Sequence, residues 1–291
     1  MCQKSKQTQK LIAAVVVLHN PPKSVLQNVE TYRSEVEVLY IVDNSPDLCR
    51  ELVDTVKRLD KVTYLTAGKN VGIAAALNIA ARKALEEGYD YLLTMDQDSA
   101  ASDGMISILY GNFVQNSAIG LVTPFHQDRN APLPMPEQEV ERVTTAMTSG
   151  NLLFLGAYMT VGGFMEKLFI DYVDVEYCLR LQVHGFSIVR ANRAILFHSL
   201  GHFTPKKFFG MIVHPTNHSP SRRYYQTRNR IYVRYLYGDK FPSYFKRDKK
   251  YLWGTIVKII LYEEQKFQQL VMIFRGYLAF LRRDFSTIPM L

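Results

Sequence analysis

Tyr89-Asp90-Tyr91-Leu92-Leu93-Thr94-Met95-Asp96-Gln97-Asp98-Ser99 sets an apolar run directly ahead of two aspartates at i and i+2. A short run of large apolar residues that ends abruptly in polar groups reads as a strand buried on both faces, the kind found in parallel sheets. Open parallel sheets bind ligands at the carboxyl ends of their strands. On extended backbone, side chains at i and i+2 point the same way. Asp96 and Asp98 can therefore grip one hard divalent cation, Mg2+ or Mn2+, that also binds a diphosphate. Asp-x-Asp recurs by chance in many sequences, and its place at the end of a buried strand is what gives it weight here.

Working outward, further short β-branched runs fall at 13–18, 36–42, 62–65 and 119–123, besides 89–95, and alternate with helical patterns. That alternation predicts an α/β fold with a mostly parallel sheet and helices on both faces. Residues 72–87 read as a helix, with Gly88 as its stop. Residues 126–142 carry three prolines and read as a surface loop. A strand over 151–159, a turn at Gly162-Gly163, a helix over 173–184 and short strands over 187–191 and 194–197 follow. Beyond 200 the pattern turns to long, basic, aromatic helices. The expected organisation is a flexible N-terminus (1–10), an α/β domain (11–200) and a helical C-terminal region (201–291).

With 291 residues, 47% of them hydrophobic, the chain can bury one large core. Three scattered cysteines, Cys2, Cys49 and Cys178, fit neither a disulfide framework nor a zinc site, and suit a reducing cytoplasm. Lys4, Lys6 and Lys10 ahead of the apolar run 11–18 imitate a leader peptide, but the turn His19-Asn20-Pro21-Pro22 follows where a cleavage site would stand, so the run reads as a strand. No apolar stretch reaches the ~18 residues that cross a bilayer. The net charge is +8, and from residue 200 onward 17 Lys and Arg face only 5 Asp and Glu. Nucleic acid, anionic lipid and nucleotide phosphate each suit such a surface, and charge alone does not choose among them.

Two more polar clusters sit at predicted strand ends. Asp43-Asn44-Ser45-Pro46 offers a carboxylate that could accept hydrogen bonds from a nucleobase or ribose, or could begin an Asx-turn, or both. Gly68-Lys69-Asn70-Val71-Gly72 leads into the Ala-rich helix, where Asn70 and Gly72 stand at a helix N-terminus that favours phosphate. It matches neither the P-loop nor the dinucleotide fingerprint.

The stretches Val16-Val17-Leu18-His19-Asn20-Pro21-Pro22, Val42-Asp43-Asn44-Ser45, Lys69-Asn70-Val71-Gly72-Ile73-Ala74 with Asn78, Met95-Asp96-Gln97-Asp98, and Leu168-Phe169-Ile170-Asp171-Tyr172-Val173-Asp174-Val175-Glu176-Tyr177-Cys178-Leu179-Arg180 form an ordered set. Over about residues 11–235 the chain resembles glycosyltransferase family 2, and within it rhamnosyltransferases that use dTDP-L-rhamnose to build bacterial surface polysaccharides. The resemblance implies a GT-A fold and an inverting transfer of a sugar to a hydroxyl of a polysaccharide or lipid-linked saccharide acceptor. It implies a divalent metal at Asp98 assisted by Asp96, with the nucleotide along His19, Asn20, Asp43, Asn70, Gly72 and Asp96. The family's Glu-Asp pair falls on Val173-Asp174, which makes Asp174 the expected base and leaves its glutamate neighbour missing. His198 matches a histidine that would complete the metal or pyrophosphate shell; His202, His214 and His218 have weaker claims. Arg228, in a segment resembling the family's Tyr-Tyr-x-x-Arg-Asn, would neutralise the leaving diphosphate.

The apolar and basic residues of 252–283 suit either a membrane interface, with the enzyme cytoplasmic or peripheral on the inner face, or packing on the catalytic domain or a second subunit as a homodimer. Other readings to be separated are a UDP-sugar donor, a basic nucleic-acid-binding α/β protein, which leaves the acidic clusters unexplained, a non-catalytic nucleotide-sugar binder, and a nucleotidyltransferase releasing pyrophosphate. The expectation is a transferase with no nucleic-acid partner.

Overall fold

The computed structural model describes residues 12–47, 50–116, 118–128, 132–198, 206–208, 211–213 and 218–289. The expected flexible segment 1–10 lies outside them, as do His202 and His214. The amino-terminal elements are β1 (Ile12–Leu18), α1 (Val25–Arg33), β2 (Val38–Asp43), α2 (Arg50–Val56), β3 (Val62–Thr66), α3 (Ile73–Glu86) and β4 (Tyr91–Asp96). β1 and β2 are buried at every position, as a parallel sheet covered on both faces requires. The buried face of α3 is almost all alanine, with Leu77 and Asn78 between, so the helix can lie close to the sheet. It stops before Gly88, whose φ of +81° continues no helix. The four strands pair in the order β3-β2-β1-β4, all parallel.

The chain continues through β5 (Ser99–Ala101), α4 (Met105–Gln115), β6 (Ile119–Gln127), β7 (Val140–Arg142), β8 (Asn151–Phe154), α5 (Leu155–Val161), a 3-10 turn (Glu166–Leu168), α6 (Val173–Val183) and β9 (Ser187–His198). Beyond β4 the sheet is mixed. β8 runs antiparallel to both β4 and β6, β6 and β9 are parallel, and β5 and β7 are antiparallel to β9. A small hairpin of β10 (Lys206–Phe208) and β11 (Met211–Val213) precedes α7 (Pro220–Tyr237), α8 (Pro242–Tyr262) and α9 (Lys266–Leu281).

Three expectations change. The strand predicted over 151–159 ends at Phe154 and becomes α5, whose buried residues Leu155, Ala157, Tyr158 and Val161 follow a helical spacing hidden inside a continuous apolar run. The two strands predicted over 187–197 are one strand. Asn192, which lies between the two expected strands, is fully buried there, and its amide donates to Gln138 O at 2.8 Å and Glu141 Oε1 at 2.9 Å. A buried polar group with its partners in place carries little penalty. The loop read over 126–142 gives its ends to β6 and β7.

The C-terminal helices share the core instead of hanging from it. Tyr232, Val233 and Tyr237 of α7 and Phe245 of α8 belong to the same apolar cluster as Ala13, Val15 and Leu77. α7 starts where Ser219 Oγ accepts from the Arg222 N–H at 3.4 Å and Pro220 occupies the first turn. Buried ion pairs then fix its position against α8 and the residue that follows it: Arg223–Glu263 at 2.6 Å and Arg230–Asp248 at 3.1 Å.

Candidate active site

Because β1, β2 and β4 are parallel, their polar ends meet at one edge of the sheet. Asp43 stands opposite Leu18 on one side of β1, and Asp96 stands opposite Val17 on the other. The chain order reverses between β1 and β4, so this edge is the crevice where open α/β sheets bind ligands.

The loops at this edge are locked to each other. Gln97 Oε1 accepts from the His19 N–H at 2.8 Å, and Gln97 Nε2 donates to His19 O at 3.2 Å. Asn20 N–H donates to Ser45 Oγ at 2.9 Å. Asn44 Nδ2 donates to Asn70 Oδ1 at 3.0 Å, and Asn44 Oδ1 accepts from Val71 N–H at 2.7 Å. Asp43 is buried, with one carboxylate oxygen accepting from Ser45 N–H and the other from the Tyr64 hydroxyl, both at 2.9 Å. The Asx-turn reading of Asp43 is therefore realised. Beside this network opens a cleft of about 510 Å³, lined by His19, Asn20, Pro46 and Asn70 together with Phe169 and residues 287–289.

At the β4 end, Asp96, Asp98 and His198 each offer a ligand atom, all within 4.8 Å of one another. Pairing of β5 with the end of β9 sets Ser99 opposite His198 and so carries the histidine to the aspartates. Its Nδ1 lies 2.9 Å from Ser99 Oγ and 3.4 Å from Asp98 Oδ1. Ser149 Oγ donates to Ser99 Oγ at 2.8 Å and accepts from the Asp96 N–H at 3.0 Å. Burial, and then the charge of Asp98, push the Asp96 carboxyl above its ordinary range. A divalent cation would relieve both effects, and two carboxylates with an imidazole are a donor set suited to Mg2+ or Mn2+.

The start of α6 lies near these groups, close enough for the charge of Asp96 to act on Asp174. Asp174 is half-buried, and burial pushes its carboxyl up to about 6, with the charges of Asp171 and Asp96 adding to the rise. The neighbouring carboxylates are otherwise engaged. Asp171 is paired with Arg222 at 3.1 Å. Glu176 is fully buried, held by Arg180 at 2.8 Å and by the Tyr237 hydroxyl at 2.7 Å. Asp174 has no ion-pair partner among the described residues.

The approach to α6 is strained: Phe169, Asp171 and Tyr172 all have φ near +60°, a region that costs non-glycine residues about 1 kcal/mol or more each. Asn229 Nδ2 holds this turn through the carbonyls of Leu168, Ile170 and Asp171 at 2.8–3.0 Å.

Arg228 does not face the crevice. It is fully buried, and its guanidinium donates to the carbonyls of Lys167, Leu168 and Ser286 at 3.1–3.3 Å. The cation turned toward the carboxylates is Arg222. Against the cost of burial, the charges of Asp171, Asp96 and Asp174 hold its guanidinium above the ordinary value. Asn78 is likewise a rivet, bonded to Phe164, Tyr158 and Glu166. Sequence reasoning passed over Gln97, Ser99, Ser149 and Arg222. Gln97 and Ser99 stood inside the opening stretch, and Arg222 stands two residues ahead of the Tyr-Tyr pair of the Arg228 segment; Ser149 carries no periodic or spacing signal.

The sequence model described as Glycosyl transferase family 2 matches residues 14–169. The dTDP-rhamnosyl transferase RfbF of Shigella flexneri is 30% identical over 236 residues, 75% of this chain and 78% of that protein. Among solved structures, GalNAc-T7 with UDP, GalNAc and Mn2+ superposes with a TM-score of 0.62 at 14% identity, over 82% of this chain and half the length of that one. Residues 1–349 of S. aureus TarS with UDP superpose with a TM-score of 0.54 at 13% identity, over 95% of this chain and 72% of that one. These likenesses share the mixed sheet flanked by helices of the GT-A fold. With the family sequence matched through β1 to the turn before α6, and the polar strand ends gathered at one crevice, the chain belongs to glycosyltransferase family 2 and is a glycosyltransferase.

Proposed function

We propose that the chain is an inverting, metal-dependent rhamnosyltransferase that takes L-rhamnose from dTDP-L-rhamnose to a hydroxyl of a saccharide or lipid-linked saccharide. The observation that carries this reading is the Asp96, Asp98 and His198 cluster beyond the end of β4, with Asp174, free of any described ion pair, within reach of the Asp96 charge. The likeness to a dTDP-rhamnosyl transferase supports the donor.

The nucleoside end of the donor occupies the cleft beside His19, Asn20 and Asn70, and the diphosphate lies toward Asp96 and the N-terminus of α3 at Gly72. A divalent cation held by Asp96, Asp98 and His198 would supply Lewis-acid stabilisation of the departing diphosphate. Arg222 adds a fixed positive charge on the same side, the role expected of Arg228. Asp174 accepts the proton of the acceptor hydroxyl, which attacks the sugar on the face opposite the leaving group and inverts its anomeric centre. Asp43 contributes by holding the loop between β2 and α2 in shape.

Attachment to an anionic membrane surface is part of the proposal. No helix among the described residues is long and apolar enough to cross a membrane. α8 and α9 nevertheless expose Trp253 (59%), Phe267 (79%) and Phe274 (60%), with exposed Lys249, Lys250, Lys266 and Arg275 among them. This mixture suits an interfacial helix.

The test is a panel of dTDP-sugars and UDP-sugars scored for nucleoside diphosphate release with and without Mg2+ or Mn2+, together with calorimetry of dTDP. dTDP is expected to bind more tightly with metal, and Asp98→Ala to remove that difference. Identical dTDP affinity with metal, with EDTA and in the variant would defeat the metal assignment.

A further inference from the structure

After α9 the chain returns to the strand ends, where Thr287, Ile288 and Pro289 line the same cleft as His19 and Asn20. Thr287 and Pro289 are exposed, while Ile288 is half-buried and packs against the small apolar cluster of Phe169, Tyr224 and Tyr225. The segment is held by dedicated contacts. The Tyr225 hydroxyl accepts from the Ile288 N–H at 2.8 Å and donates to Ile288 O at 3.0 Å, so one side chain replaces a strand partner. Arg228 Nη1 donates to Ser286 O at 3.1 Å, and Phe285 packs edge-on to Tyr232 with centroids 4.7 Å apart. The Tyr225 ring also stacks on Phe169 at 5.2 Å, the residue forming the same wall of the cleft. Phe169 O in turn accepts from Ile73 N–H at 2.9 Å, at the first turn of α3.

We propose that residues 286–289 are a strap forming the outer wall of the nucleoside end of the donor site, and that Tyr225 and Arg228 are positioning residues that hold it there. The strap lines the cleft with Thr287, Ile288 and Pro289, Ile288 being backed by the apolar cluster of Phe169 and Tyr225, a largely uncharged wall suited to the face of a base and its sugar and not to a diphosphate. Arg228, buried and bonded to carbonyls, thereby acts on the donor through the strap, with no charge contact to phosphate. This inference rests on the reading that the cleft takes the donor nucleoside.

The experiment is calorimetry of the full chain in Mg2+ with two probes, dTDP and inorganic pyrophosphate, for the wild type, Tyr225→Phe and Ile288→Trp. Tyr225→Phe keeps the ring on Phe169 and deletes both bonds to Ile288, and it is expected to weaken dTDP about fivefold, the scale of losing modest hydrogen bonds. Ile288→Trp puts bulk into the wall at a half-buried position and is expected to weaken dTDP more strongly, about tenfold or more. Pyrophosphate affinity should stay within about twofold in both, since hydrogen bonds to the nucleoside wall do not reach it. A wild type that binds dTDP while both variants bind it equally well overturns the strap and leaves the cleft reading standing. A parallel loss of pyrophosphate and dTDP also overturns it, because the whole site would then have loosened. If the wild type binds no nucleoside diphosphate, the cleft reading fails and takes the strap with it.

Discussion

Asp174 combines a cost to the fold with a benefit to the reaction. Its carboxyl, ordinarily near 3.8, is raised to about 6 by burial, so the folded state holds the proton more tightly than the unfolded one. The stability that this protonation contributes is complete below about pH 3.8 and is lost as pH rises through about 6. Asp174→Asn should therefore raise the melting temperature most at pH 7.5, about half as much at pH 5, and little below about pH 3.8, as thermal melts at the three pH values would show. The same substitution removes the proton acceptor, and turnover should fall by roughly 10²-fold or more while metal-dependent dTDP affinity changes by less than about threefold. Wild-type activity should decline on the acid side of about pH 6 as Asp174 takes up its proton. Glu176→Gln is the contrasting case: it removes the charge of a fully buried carboxylate from its pair with half-buried Arg180 and should cost about 3 kcal/mol in urea unfolding. If Asp174→Asn transferred sugar at the wild-type rate while Asp171→Asn did not, the base would have to be reassigned.

Among elements, the turn before α6 is the piece whose shape was invisible in the sequence. Phe169, Asp171 and Tyr172 are ordinary residues in left-handed backbone, kept there by contacts from sequence-distant elements: Asn229 on the carbonyls of Leu168, Ile170 and Asp171, Arg222 on Asp171, and Ile73 on Phe169 O. Gly72, by contrast, advertises its backbone. Its φ is +82°, and a Cβ there would lie 2.6 Å from Phe169 O and Phe169 Cδ2. Gly72→Ala is thus expected to cost about 1–3 kcal/mol and to push Phe169 into the cleft. Chemical denaturation would measure the first effect and dTDP calorimetry the second; a stable variant with unchanged dTDP affinity would mean that α3 and the turn are not coupled. β8 and α5 teach a related lesson, since an apolar run buried all along its length has no period by which a strand can be told from a helix.

For the whole molecule, the uneven charge has a location. The basic C-terminal helices pack one face into the main core and leave another, aromatic face exposed. The full chain is expected to sediment with vesicles containing anionic lipid at low salt and to be released as ionic strength rises and shortens the reach of surface charges. Co-sedimentation with neutral and anionic vesicles across a salt series measures this. Absence of binding to either, with a dimer by light scattering, would assign the aromatic face to a second copy of the chain.

Sequence by itself determined the parallel half of the sheet, the placement of Asp43 and Asp96 at strand ends, and Asp174 at the start of a helix. Those features follow from local periodicity and from the abrupt change of polarity where a buried strand reaches solvent, both of which are written along one dimension. Tertiary structure alone decided between Arg222 and Arg228. They stand six residues apart on α7, about 240° around the helix, so only one can face the crevice. Which face turns inward depends on what α7 packs against: the turn at 168–171, α9 and the returning strap. These contacts join residues some 60 positions apart, and no spacing rule within a helix contains them.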